Sequence, residues 1–150
     1  MYGENTNETT FHPVFDTIGY VITQVCRAHR NRAQSLLEEL GLHTGQEMFL
    51  SCLWEQDGLT QTELCERLGV QPATVCKMLE RLHTAGLVAS QKDVQDGRVS
   101  RVYLSAAGKN LQDAVGSTWL ELERQTFAHM SPEEKLLFRR LLLQILDNLK

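Results

Sequence analysis

The chain has 150 residues, 42% of them hydrophobic, and a formal net charge of -4. That size and apolar fraction suit one compact domain able to bury a core. No run of 18 or more apolar residues offers a membrane span, and the polar, acidic start (Met1 to Thr10) lacks the basic-then-apolar order of a signal peptide. A soluble cytoplasmic protein with no membrane partner is therefore expected.

Charge is unevenly spread. Residues 1–57 carry 3 Lys/Arg against 8 Asp/Glu, residues 58–105 carry 6 against 5, and residues 106–150 carry 6 of each. Only the middle third has a net positive charge, so attraction to a polyanion must come from a few placed cations rather than from the whole surface. The four cysteines, at 26, 52, 65 and 76, show neither paired CxxC spacing nor a secreted disulfide framework, and reduced thiols are expected.

From Phe15 the apolar residues Ile18, Val21, Ile22, Val25, Leu36, Leu37 and Leu40 recur at spacings that draw one stripe down a long helix ending at Gly41. Thr44 followed by Glu47 reads as a capping box opening a second helix, which stops at Asp57-Gly58. Thr60 with Glu63 repeats the device for a short third helix carrying Leu64 and Leu68 and meeting Gly69. Pro72 starts a fourth helix that runs to about Thr84, with Val75, Met78, Leu79 and Leu82 as its buried stripe and Gly86 closing it. Two β-prone runs follow, Leu87 to Lys92 and Val99 to Leu104, around an Asp96-Gly97 hairpin signal. Ser105 caps a long fifth helix, and Ser131-Pro132-Glu133-Glu134 opens a sixth that runs to the end of the chain.

A short helix, a glycine turn, an amphipathic helix and a hairpin make a winged helix-turn-helix between Leu59 and Leu104. The fold class is mainly α with a small β-hairpin wing, flanked by long N- and C-terminal helices. A recognition helix needs one face anchored in the core and another that reaches base edges and phosphates. Opposite Val75, Leu79 and Leu82 the wheel places Ala73, Lys77, Glu80, Arg81 and Thr84, with Thr74 and Cys76 on the flanks. Lys77 and Arg81 are the anion-contact candidates, and Gln71 and Thr74 lie at the helix start, where the N-terminal partial charge favours a phosphate. In the wing, Arg98 at a tight turn suits the narrow minor groove, Asp96 is placed to orient it, and Arg101 adds a backbone contact from the strand.

Across nearly its whole length the sequence resembles the MarR family. The likeness is carried by GLTQTELCERLGV (58–70), PATVCKMLERLHTAGLV (72–88) and DVQDGRVSRVYLSAAG (93–108), which agree with the family's helix-turn-helix and wing in order and spacing. The resemblance implies a homodimeric regulator, most often a repressor, that binds double-stranded DNA at a pseudo-palindromic operator. It also divides the chain: a loosely ordered arm over 1–13, then one domain over 14–150. Within that domain, 14–57 and 106–150 give dimerisation helices and support, and 58–105 the DNA-reading unit. Family members commonly have Ser where Gln71 stands, Arg where Gly97 stands, and Thr or Ser where Cys76 stands. These departures weaken a helix cap and remove one phosphate contact.

Such regulators respond to small molecules, often phenolic acids, so a small aromatic or phenolic effector is implied. Tyr20, Arg27, His29, His43 and Trp54 are the ligand candidates, from segments that would line a cleft between dimerisation helices and DNA-binding lobe. Some relatives are thiol sensors instead. Cys26, with Arg27 and Arg30 nearby, and Cys76 on the recognition helix are the redox candidates, while Cys52 and Cys65 read as packing. The five histidines show no paired spacing for a metal, no cofactor motif is present, and the absence of a Gly-rich phosphate loop, GxSxG or HExxH leaves an enzyme unsupported. A winged helix serving only as a protein-interaction module is the other class the fold permits.

Overall fold

The structure, a computed structural model, describes residues 13–150, so the expected arm over 1–13 lies almost wholly outside the described residues. The first helix, α1 (Ile18–Glu38), opens on Thr17, whose hydroxyl accepts from the Tyr20 amide at 3.1 Å. It is followed by α2 (Gln46–Glu55), a two-residue strand β1 (Leu59–Thr60), α3 (Gln61–Leu68) and α4 (Pro72–Thr84). The wing strands are β2 (Val88–Lys92) and β3 (Ser100–Leu104), and α5 (Ala106–Asn110), α6 (Gln112–Thr126) and α7 (Pro132–Asn148) complete the chain.

Three local expectations are corrected. Thr44 and Glu47 form no capping box: the Thr44 hydroxyl donates to Gln34 Oε1 of α1 at 2.7 Å, and Glu47 accepts from the Gly45 amide at 2.7 Å. The cap is Gly45 itself, at φ 99°, a backbone conformation that side chains resist. The wing is not a bare hairpin either, because β1 joins it to give a three-stranded antiparallel sheet in the order β1-β3-β2, with Leu59 opposite Val102. A two-residue strand leaves no periodicity to read. Finally, the fifth helix divides at Leu111, the end cap of α5 and the start cap of α6. Its cap at Ser105 holds, and the Ser105 hydroxyl also donates to the Gly86 carbonyl at 2.6 Å, pinning α5 to the base of the wing.

The core sits where α2 meets the sheet and the helix-turn-helix. Phe49, Leu50 and Leu53 of α2 pack with Leu59, Leu64, Val75, Leu82, Val88 and Val102, all essentially closed to water. Burying each such side chain is worth about 1.5–3 kcal/mol, so this cluster fixes the orientation of α4. The expected stripe of α4 is divided in degree: Val75 and Leu82 are buried, Met78 and Leu79 half-buried.

Outside that lobe, α1 lies along α6. Arg32 Nε donates to Gln125 Oε1 at 2.5 Å, and Gln125 donates on to Glu121, whose carboxyl Arg124 holds down to about pKa 2. The apolar stripe of α1 does not complete the core of the single chain: Ile18, Val21 and Val25 stay exposed. In α7 no residue is buried, and Leu136, Leu137, Leu141, Leu142, Leu143 and Leu146 face water.

Candidate nucleic-acid interface

Two glycine-closed turns set α4. The α3 capping box is present as expected, with Glu63 N donating to Thr60 Oγ1 at 3.2 Å and Thr60 N donating to Glu63 Oε2 at 2.7 Å. Gly69 then ends α3 in the left-handed conformation. Gln71 takes cap geometry for α4 but its side chain makes no cap hydrogen bond, which is the weakened cap that its departure from Ser implied. Because Val75 and Leu82 are locked in the core, the opposite face turns outward: Gln71, Ala73, Thr74, Lys77 and Arg81 are all exposed. Lys77 and Arg81, four residues apart, stand on one side of the helix. Cys76 is exposed beside them, its thiol donating to Gln61 Oε1 at 3.2 Å.

The wing is held by aspartates. Asp93 Oδ1 accepts from the amides of Gln95 at 2.8 Å and Asp96 at 3.0 Å, and the Asp93 amide donates to the Val99 carbonyl at 2.8 Å. Gly97 takes no positive φ, so the Asp96-Gly97 pair does not form the two-residue turn its dipeptide signals. A longer loop, ordered by the Asp93 carboxylate, takes its place. Asp96 does orient Arg98: the carboxylate accepts from Arg98 Nε at 3.1 Å and Nη2 at 3.3 Å, while the Arg98 side chain remains 92% exposed. The Arg98 side chain, then its amide, lowers the Asp96 pKa.

Arg101 is placed differently from the expectation of a strand cation free to meet a phosphate. Its guanidinium is taken up by the Asp93 carboxylate, by the Gly58 carbonyl at 2.9 Å and by Glu63 at 3.7 Å. The bond from Arg101, with the Asp96 and Gln95 amides, brings the Asp93 pKa down to about 2, and Asp93 in turn raises that of Arg101. Glu63 is lowered first by the Thr60 amide. Sequence reasoning missed Asp93, Glu63 and Gly58 as parts of the site. The one available signal was an aspartate at the start of the wing loop with an arginine paired to it across the strands.

The ligand candidates stand in different surroundings in the single chain. Tyr20 stacks edge-on against Phe15 at 4.9 Å, His29 lies 6.1 Å from Trp119 between ring centroids, and Arg27 is exposed on α1. Trp54 is half-buried and donates from Nε1 to the Gly108 carbonyl at 3.0 Å. His43 lines an open groove of about 690 Å³, with Gln46, Glu80, Arg81 and Thr84. Cys26 is exposed on α1, whereas Cys52 and Cys65 pack against the core, and burial pushes the Cys52 thiol up. Among the described residues no three His, Cys, Asp or Glu side chains converge on a metal site, and no helix is long and apolar enough to cross a membrane.

Comparison with known proteins agrees with this geometry. The MarR family model matches residues 42–100, from the end of the α1–α2 turn through the wing loop. Across its helix-turn-helix and wing the chain is similar to the MarR family. Among similar proteins, the uncharacterized HTH-type transcriptional regulator YwoH of Bacillus subtilis is 28% identical over 120 residues, covering 80% of this chain and 87% of that protein. Among solved structures, the MepR–DNA complex of S. aureus superposes with a TM-score of 0.77 at 26% identity, covering 89% and 97% of the two chains. BpsR of Bordetella bronchiseptica, whose DNA binding 6-hydroxynicotinic acid regulates, gives a TM-score of 0.81 at 23% identity, covering 91% and 97%. The BpsR likeness establishes the winged-helix fold across nearly the whole chain.

Proposed function

We propose that this MarR-like chain is a sequence-specific, double-stranded DNA-binding transcriptional regulator of the cytoplasm, a ligand-responsive repressor that acts as a homodimer on a pseudo-palindromic operator. The observation that carries the reading is the pairing of α4, core-locked on one face and exposing Lys77 and Arg81 on the other, with a wing that presents Arg98 almost wholly to solvent. A module that binds only proteins has no need of that arrangement. The DNA-bound MepR relative supports the same use of the fold. Gln71, Ala73 and Thr74 at the start of α4 meet base edges, and Lys77, Arg81 and Arg98 meet phosphates and the minor groove.

Dimerisation follows from the apolar faces that the single chain leaves uncovered. Along α1, Ile18, Val21 and Val25 are exposed, and α7 exposes a row of leucines. Both helices come from opposite ends of the chain, so pairing two copies through them sets two copies of α4 at a fixed spacing. A small aromatic acid that binds between these helices and the DNA-binding lobe would shift that spacing. Footprinting on the intergenic DNA upstream of the gene, with and without phenolic acids, tests the reading. A protected two-half-site footprint is expected, and uniform non-specific protection or none would refute it.

A further inference from the structure

We infer that Arg101 is a positioning residue that aims Arg98, and not itself a contact to nucleic acid; this rests on the DNA-binding reading above. A continuous chain of bonds runs from the start of α3 to the wing tip. Glu63, the capping carboxylate of α3, and the Gly58 carbonyl receive Arg101 Nη1, while Arg101 Nε donates to Asp93. Asp93 accepts from the Gln95 and Asp96 amides, and Asp96 then holds the Arg98 guanidinium at two points. Thr60 and Arg101 are also partners across β1 and β3, so the anchor end is fixed to the sheet.

Electrostatics and geometry agree. Two carboxylates flank the one guanidinium, giving the cluster a net charge of -1, which repels a phosphate rather than recruiting one. The Arg101 side chain is 34% exposed against 92% for Arg98. Three acceptors in different directions match a planar fork of donors, which a lysine ammonium does not reproduce. The base of the loop is closed by its own bonds, from the Asp93 amide to the Val99 carbonyl at 2.8 Å and from the Val99 amide to the Asp96 carbonyl at 2.9 Å. Loss of Arg101 leaves that base in place but releases the Asp93 carboxylate that orders the Gln95 and Asp96 amides, and Arg98 spreads over more orientations.

The test is a double-variant cycle read by fluorescence anisotropy on a duplex from the upstream region, at several salt concentrations, using the full chain. Arg98→Ala is expected to weaken binding roughly tenfold and to reduce the salt slope by about two for the dimer. Arg101→Gln alone should weaken binding to a similar extent. In the Arg98→Ala background it should cost less than twofold and leave the salt slope unchanged. Multiplying losses, or a further fall in slope, would make Arg101 a direct contact and overturn the inference, as would wild-type affinity for Arg101→Gln. If Arg101→Gln fails to fold, Asp93→Asn breaks the same chain at its wing end and carries the same expectations.

A measurement without DNA separates this inference from the DNA-binding reading. Hydrogen exchange at the Gln95 and Asp96 amides should quicken at least tenfold in Arg101→Gln, while exchange at Leu50 and Leu53 in α2 is unchanged. Unchanged wing exchange overturns the positioning role even where DNA binds as proposed. Quickened exchange in a protein that ignores DNA upholds the clamp and sinks the regulator reading instead.

Discussion

Gly108 of α5 lies against the carbonyl of Leu87: a Cβ added to it would stand 2.1 Å from that oxygen. The same oxygen accepts from the Ser105 amide at 3.0 Å, and the Gly108 carbonyl accepts from Trp54 Nε1, so neither backbone is free to retreat. Gly108→Ala should therefore destabilise the fold by about 2–3 kcal/mol. In thermal unfolding that is a fall in Tm of roughly 5–10 °C. Gly116, also helical, has open space within 4 Å of where a methyl group would stand, and Gly116→Ala should instead raise stability by about 0.5–1 kcal/mol. Equal effects at the two sites would show that the close approach at Leu87 does not exist.

Gln71 has the φ and ψ of a helix cap without the cap hydrogen bond. Gln71→Ser supplies an oxygen that accepts from the Ala73 or Thr74 amide and should stabilise the protein by about 0.5–1 kcal/mol in urea denaturation. The same change is expected to alter operator preference, because position 71 stands at the end of α4 that meets base edges. A gain in stability with no change in preference would remove Gln71 from the reading surface.

Acid should loosen the wing late. The carboxyls of Asp93, Asp96 and Glu63 all have folded pKa values below their ordinary ones, Asp93 at about 2. Depressed carboxylates contribute stability that is fully present above the unfolded pKa, near 4, and lost as pH falls through the folded value. Amide exchange at Gln95 and Asp96, corrected for its intrinsic pH dependence, should thus show constant protection from pH 7 to about 4 and a decline only between about 4 and 2. Loss of protection near pH 6 would mean that a group other than these carboxylates holds the loop.

The apolar face of α7 should be covered in solution by a second copy. Replacing Leu142 and Leu146, both exposed, with Asp is expected to turn a dimer into a monomer in sedimentation while helical circular dichroism is retained. A double variant that still dimerises would place the partner surface elsewhere, and a wild-type monomer would refute the pairing altogether.

Much of this architecture is legible in the chain itself, and the failures have physical causes. The caps at Thr60, Ser105 and Ser131 declare themselves because each hydroxyl is followed three residues later by its amide partner. Thr44 looks the same in sequence, but Gln34, ten residues earlier, takes its hydroxyl, and no local pattern reports a distant competitor. The exposed face of α4 follows from the spacing of Val75, Leu79 and Leu82. The fate of Arg101 does not, since its partners Gly58, Glu63 and Asp93 are brought together by the pairing of β1 with β3, a contact 43 residues apart in the case of Gly58. Sequence places the ligand candidates only by segment and does not report that the Trp54 and His29 rings are engaged by the protein's own groups.

A few placed cations on α4 and the wing, doubled by a dimer, are what should bind duplex DNA from an otherwise acidic protein. The salt dependence of affinity for the upstream operator tests this most directly. With Lys77, Arg81 and Arg98 contributed twice, log affinity against log salt should have a slope of about -5, and Lys77→Ala or Arg98→Ala should each reduce its magnitude by about two. A shallow slope that neither variant changes, or affinity no greater for the operator than for random duplex, would contradict it.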